Sequence, residues 1–139
     1  ILLEGWCVGA LPEPEEALIE PVNKLEQVED AAGTWRRYAN ARLADEYKIF
    51  YDMFSYWVVL QPPSFEAVVE NRIKQENQLR NQLHASGLKG SRVMSDEEVI
   101  RFISHYERLT RWMWDVFPKR ADILIQLENN HVVREMVIR

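Results

Sequence analysis

Apolar positions along this 139-residue chain shift from unbroken runs to helical spacing and back, and each shift predicts an element. Ile1 to Glu4 is apolar without alternation and is broken by Gly5, the pattern of a strand covered on both faces, as in parallel sheets. From Gly9 to Pro21 three prolines, Pro12, Pro14 and Pro21, stand among glutamates. Three missing amide donors predict a loop with room for one helical turn. Val22 to Asp30 predicts a short helix, and Ala31-Ala32-Gly33 separates it from a stronger one. The apolar positions of that second helix, Trp35, Ala39, Leu43, Tyr47, Phe50 and Phe54, recur at helical spacing. Tyr56 to Leu60 is aromatic and β-branched and stops at Pro62-Pro63, which predicts a second buried strand.

Ser64 stands where an N-cap belongs, ahead of a long polar helix carrying Phe65, Val68, Val69, Ile73, Leu79 and Leu83. That helix is expected to face the core only in part. Ala85 to Met94, with Gly87 and Gly90, reads as a connection. Ser95 and Glu98 form a capping box ahead of Val99, Ile103, Tyr106, Met113 and Phe117, and Pro118 closes that helix. Ala121 to Leu127 is a third apolar strand and Val132 to Ile138 a fourth, joined by Glu128-Asn129-Asn130 as a hairpin or sheet edge. Strands alternating with helices of this length predict an α/β fold with a mostly parallel sheet and helices on both faces.

Composition narrows the function classes. With 47% apolar residues and fifteen aromatic Trp, Tyr and Phe the chain can form one real core. The net charge of −5 and the scatter of basic residues among acids argue against a nucleic-acid footprint. No apolar run approaches the roughly 20 residues that span a bilayer, so neither a membrane nor a nucleic acid is an expected partner. One cysteine, Cys7, makes no internal disulfide and fits a reducing compartment, so the cytoplasm is the expected location. The five glycines are too dispersed to hide a G-x-x-x-x-G-K-[ST] phosphate loop. His84, His105 and His131 are scattered, which speaks against zinc.

Several residues have the chemistry of phosphoryl transfer. Glu4 ends the first apolar run, and an acid at the carboxyl end of a buried parallel strand lies where open α/β sheets bind ligands and can orient Mg²⁺. The alternative is an acid that has simply left the strand for solvent. Arg72, Glu76 and Arg80 recur every four residues on one helix face. Two guanidinium groups so placed can clamp phosphates, although the same spacing also builds solvated ion pairs, the reading that pattern alone favours. His131, after Asn129 and Asn130, could touch a ligand, but a lone His in a turn is usually surface. Cys7 lacks a nearby His to activate it, and burial is its expected role.

Five ordered blocks carry a resemblance: Leu2-Leu3-Glu4-Gly5-Trp6-Cys7-Val8-Gly9, Glu20-Pro21-Val22-Asn23-Lys24-Leu25-Glu26, Gln61-Pro62-Pro63-Ser64-Phe65, Met94-Ser95-Asp96-Glu97-Glu98-Val99 and His105-Tyr106-Glu107-Arg108-Leu109-Thr110. Together they resemble the downstream half of the bacterial and plant D-glycerate 3-kinase family, P-loop kinases akin to uridine kinase and phosphoribulokinase. The resemblance implies a partial P-loop kinase fold in which residues 1–139 are the C-terminal part of one domain. It implies ATP-dependent phosphorylation of a hydroxyl on a small, glycerate-like acid, with Mg²⁺. Glu4 would then serve as the second acidic motif near the metal, and Arg72 and Arg80 would belong to a lid helix. Asn23 and Glu26 would face the acceptor, and Asn130 and His131 would lie near the nucleotide base.

Such a kinase also needs a phosphate loop, its lysine and a central strand, which would all lie upstream of Ile1. Their absence would leave bare ladder groups between Ile1–Glu4 and Tyr56–Leu60. The expectation is that a missing N-terminal half, or self-association, fills that gap. Alternatives are another P-loop kinase acting on a nucleoside, pantothenate or a sugar phosphate, or a non-catalytic α/β interaction module.

Overall fold

The computed structural model describes residues 1–86 and 93–139, so most of the expected Ala85–Met94 connection lies outside the described residues. The chain is an α/β protein. Its helices are α1 (Lys24–Glu29), α2 (Thr34–Ala44), α3 (Glu46–Tyr51), α4 (Phe65–Ser86), α5 (Asp96–Ser104) and α6 (Glu107–Val116), with single 3₁₀ turns at Glu15–Leu18 and Phe117–Lys119. Its strands are β1 (Val58–Gln61), β2 (Ile123–Leu127) and β3 (Val133–Ile138).

Local signals set most of these boundaries. Pro62-Pro63 ends β1, and the Ser64 hydroxyl accepts the Ala67 amide at 3.2 Å at the start of α4. The capping box of α5 is complete: Ser95 Oγ accepts the Glu98 amide at 3.2 Å, and Glu98 Oε2 accepts the Ser95 amide at 2.9 Å. The proline-rich stretch holds the one helical turn allowed it, Glu15–Leu18.

In the sheet β1 and β2 run parallel, β2 and β3 antiparallel, in the order β1-β2-β3. Its register aligns Val58, Ile123 and Ile138 in one rung and Leu60, Ile125 and Met136 in another. Because strand side chains alternate, these six apolar residues share one face. That face is open: Leu60 is 61% and Ile138 67% exposed. Leu124, on the opposite face beside Val59 and Val137, is buried. The main apolar cluster lies among the helices, where Phe65, Val99 and Ile103 pack with Val69, Ile73, Met94 and Trp114.

Three sequence expectations are corrected. Ile1–Glu4 is not a strand; it pairs with no described strand, and Ile1 and Leu2 are exposed. An apolar run has strand geometry only when a neighbouring ladder takes its backbone groups. The helix expected from Trp35 to Phe54 is two helices, because Asp45 leaves helical backbone at φ −112°, ψ −90°. Likewise the helix opened by Ser95 ends at Ser104, and α6 starts anew after His105 and Tyr106.

The segment after Gly5 lies across α6. Trp6 stacks on Tyr106 at 4.9 Å and donates from Nε1 to Thr110 Oγ1 at 2.9 Å, and Trp112 Nε1 donates to the Leu11 carbonyl at 3.1 Å. Gly9 makes the close approach possible. Its φ is +82°, and a Cβ there would stand 2.5 Å from the Trp57 ring and 2.8 Å from that of Phe117.

Candidate functional site

The most elaborate polar arrangement lies where the proline-rich loop, α1, α2 and α6 meet, around a cavity of about 140 Å³. Asp30, just past α1, caps α2 from outside: its Oδ1 accepts the Trp35 amide at 2.8 Å and its Oδ2 the Arg36 amide at 3.1 Å. Gly33, at φ +72°, gives the turn that brings Asp30 there. Arg36 then reaches back, donating from Nε to the Leu18 carbonyl at 2.7 Å, from Nη1 to the Asp30 carbonyl at 2.7 Å and carboxylate at 3.2 Å, and from Nη2 to the Ile19 carbonyl at 3.1 Å.

Arg108 on α6 is the second clamp. Its Nε and Nη2 grip Glu26 at 2.8 and 2.7 Å, Nη1 donates to Glu13 at 3.2 Å and to the Ala17 carbonyl at 2.8 Å, and Nη2 also donates to the Glu20 carbonyl at 2.6 Å. All five guanidinium hydrogens are thereby used. Asn40 fixes the same loop from α2, accepting the Glu13 amide at 2.6 Å and donating to the Glu13 carbonyl at 3.0 Å. A stretch whose regular structure is a single 3₁₀ turn has the carbonyls of Ala17, Leu18, Ile19 and Glu20 satisfied by two buried arginines, the requirement that buried backbone groups impose.

The two carboxylates on Arg108 behave oppositely. Burial pushes the Glu13 carboxyl up, and Arg108 only partly offsets this. Burial also pushes Glu26 up, but hydrogen bonds from Arg108 and the Val22 amide, with the Arg108 and Arg36 charges, outweigh it and hold the group below its ordinary value. Asp30 is likewise held low: the Trp35 and Arg36 amides and the Arg36 charge overcome the effect of its burial.

Of the residues singled out by sequence, Glu26 lines this cavity and Asn23 caps the same helix. Asn23 Oδ1 accepts the Glu26 amide at 3.0 Å, and its Nδ2 donates to the Ser104 carbonyl at 2.8 Å and Glu107 at 3.1 Å. Asn23 therefore ties α1 to α5 and α6. The other candidates lie elsewhere. Glu4 sits on exposed coil rather than at a strand end. Arg72 pairs with Glu76 at 2.5 Å, while Arg80 donates to Asn77 and, at 2.9 Å, to the Met94 carbonyl. Asn130 and His131 occupy the exposed β2–β3 turn, where Asn130 Oδ1 accepts the Val132 amide at 3.2 Å. Cys7 touches Thr110 at 4.0 Å, and burial pushes its thiol up to about 11, so it is no nucleophile at neutral pH.

Pattern reading missed Glu13, Asp30, Arg36, Asn40 and Arg108. The signal lay in the proline-rich loop itself, whose carbonyls needed donors from elsewhere. Among the described residues no group of three or more His, Cys, Asp and Glu side chains is placed to hold a metal ion. A Mg²⁺ carried on substrate phosphates needs only one or two protein carboxylates, and Glu4 is an exposed carboxylate of the kind that could supply one. Among the described residues no helix is long and apolar enough to cross a membrane.

These features define an α/β protein with an arginine-clamped polar cavity. Over 106 residues, 76% of the chain, it is 32% identical to a Schizosaccharomyces pombe protein named "uncharacterized kinase mug58". The match covers 35% of that protein, so the chain spans about a third of its relative's length. No family model matches the chain, and no solved structure does.

Proposed function

We propose that this chain is the C-terminal part, residues 1–139, of a cytoplasmic ATP-dependent small-molecule kinase that phosphorylates a hydroxyl of a glycerate-like acid. The observation that carries the reading is the similarity to a yeast protein named as a kinase. The glycerate acceptor rests on the five blocks that resemble D-glycerate 3-kinases. In this reading Glu4 orients Mg²⁺, Arg72 and Arg80 face the phosphates, Asn23 and Glu26 support the acceptor side, and Asn130 and His131 lie near the nucleotide base. The phosphate loop comes from an N-terminal half, which also covers the open apolar face and the free edge of β1. A second copy of the chain is the alternative cover.

The test is ADP formation by the complete protein with ATP, Mg²⁺ and a panel of D-glycerate, a nucleoside, pantothenate and a sugar phosphate. Acceptor-dependent ADP with glycerate supports the full reading. Turnover with another acceptor keeps the kinase and replaces the substrate, and no acceptor-dependent ADP at all rejects the kinase.

A further inference from the structure

The ion network leaves one acidic oxygen of a largely buried side chain uncommitted. Glu26 uses both carboxylate oxygens, Oε1 for Arg108 and Oε2 for Arg108 and the Val22 amide. Glu13 gives only Oε2 to Arg108, at 3.2 Å. Its Oε1 accepts nothing from the described residues, although the side chain is only 7% exposed. Among the described residues only Arg42 Nε is both buried and without a partner, so this oxygen is not sealed from solvent, and it belongs to a residue that lines the 140 Å³ cavity. Its backbone is pinned on both sides by Asn40, so the side chain stands on a fixed base.

The rest of the wall shows what would complement that oxygen. The Ser104 hydroxyl already donates to the Ile100 carbonyl at 2.8 Å. His105 Nδ1 lies 3.0 and 3.2 Å from the Arg101 and Phe102 carbonyls, both acceptors. Nδ1 therefore carries the ring proton, and in the neutral ring Nε2 is an acceptor. Arg108 spends all five of its donors on Glu13, Glu26 and the Ala17 and Glu20 carbonyls. Glu13 Oε1 and His105 Nε2 are acceptors, while Trp35 Nε1–H and the second hydrogen of Asn40 Nδ2 have no acceptor among the described residues, so the wall suits a small molecule that carries O–H donors together with acceptor oxygens. A cavity of about 150 Å³ elsewhere accommodates benzene, a size matching a molecule of six or seven non-hydrogen atoms.

We propose that this cavity holds the phosphoryl acceptor, a small hydroxylated molecule, and that Glu13 Oε1 takes the proton of the hydroxyl that is phosphorylated. The inference rests on the kinase reading. The hydroxyl oxygen forms a bond to the γ-phosphorus of ATP, the bond from that phosphorus to the bridging oxygen breaks with its electron pair leaving on ADP, and the hydroxyl proton passes to the Glu13 carboxylate. Arg108 and Arg36, with Glu26, Asp30 and His105, are the charged and titratable groups around it, and burial raises the affinity of Glu13 for a proton, as the role requires.

The experiment compares wild type, Glu13→Gln and Glu13→Asp in the complete protein, with kcat, KM for the acceptor and Tm measured for each. Glu13→Gln is expected to lower kcat by about 10²- to 10⁴-fold, with KM changed less than about threefold and Tm not lowered, and Glu13→Asp to restore part of kcat. An active wild type whose Glu13→Gln variant keeps its kcat overturns the role of Glu13, as does a loss of kcat that follows a loss of Tm. A wild type without acceptor-dependent turnover overturns the kinase reading and this inference with it.

Discussion

The loop-and-helix cap and the three-stranded sheet meet their physical demands in opposite ways. In the cap, charged groups are buried and almost every one has a partner inside the chain: Arg36 and Arg108 satisfy carboxylates and loop carbonyls, and Asn40 and Asp30 complete the set. In the sheet, apolar side chains stand in register on an open face, Val58, Leu60, Met136 and Ile138 among them, each more than half exposed. Directional hydrogen bonds can be closed within a few short segments. A sheet face is satisfied only by another layer of comparable width. The cap therefore closes most of its hydrogen bonds within the chain, leaving Glu13 Oε1 toward the cavity, and the sheet presents a surface that a further layer would bury.

The sharpest way to break this contrast is Arg108→Met. It strands Glu13 and Glu26 and two loop carbonyls, and it is expected to cost about 3–5 kcal/mol in urea unfolding; a loss below about 1 kcal/mol would show the clamp to be ornamental. Next comes Leu124→Ala, on the buried face of the sheet, with an expected loss of about 2–3 kcal/mol. The open face should respond differently. Leu60→Thr and Ile138→Thr are each expected to stay within about 0.5 kcal/mol and to reduce any concentration-dependent association seen by analytical ultracentrifugation. A larger loss would mean that this face is already covered.

Arg72→Ala is a more modest probe. Glu76, its partner, has a side chain only 5% exposed, so the substitution is expected to lower Tm as well as turnover. A function confined to phosphate contact predicts the kinetic loss alone.

Acid titration separates the carboxylates within the cap. Glu26 and Asp30 have folded values below their unfolded ones, so their contribution is full above the unfolded value, near pH 4, and is lost as pH falls through the folded one. Glu13 runs the other way: its raised value contributes stability at low pH that is lost as pH rises through it. Glu13→Gln should accordingly be at least as stable as wild type at neutral pH, and that advantage should shrink on acidification. An advantage that grows toward low pH would contradict the raised value.

Much of the fold was legible because its signals are local. The capping box at Ser95 and Glu98, the cap at Ser64, the stop at Pro62-Pro63 and the hairpin of β2 and β3 each depend on a few adjacent residues. The candidate site was hardly legible at all. Glu26 and Asn23 were named, but their partners Arg108 and Ser104 stand about eighty positions away. In α2 the apolar periodicity pointed to Trp35, Ala39 and Leu43, of which only Leu43 is buried, while Arg36 and Asn40 are buried in the cap.

Residue order thus set the alternation of helices and strands, their caps and breaks, and the α/β class, since those follow from neighbouring side chains and backbone chemistry. Which polar groups are buried, and against what, was fixed by the docking of the proline-rich loop onto α2 and α6. The same holds for Ile1–Glu4, an apolar run that is no strand, because a strand exists only where another lies beside it. Pairing and burial depend on distances between remote segments, and a linear pattern carries no measure of those.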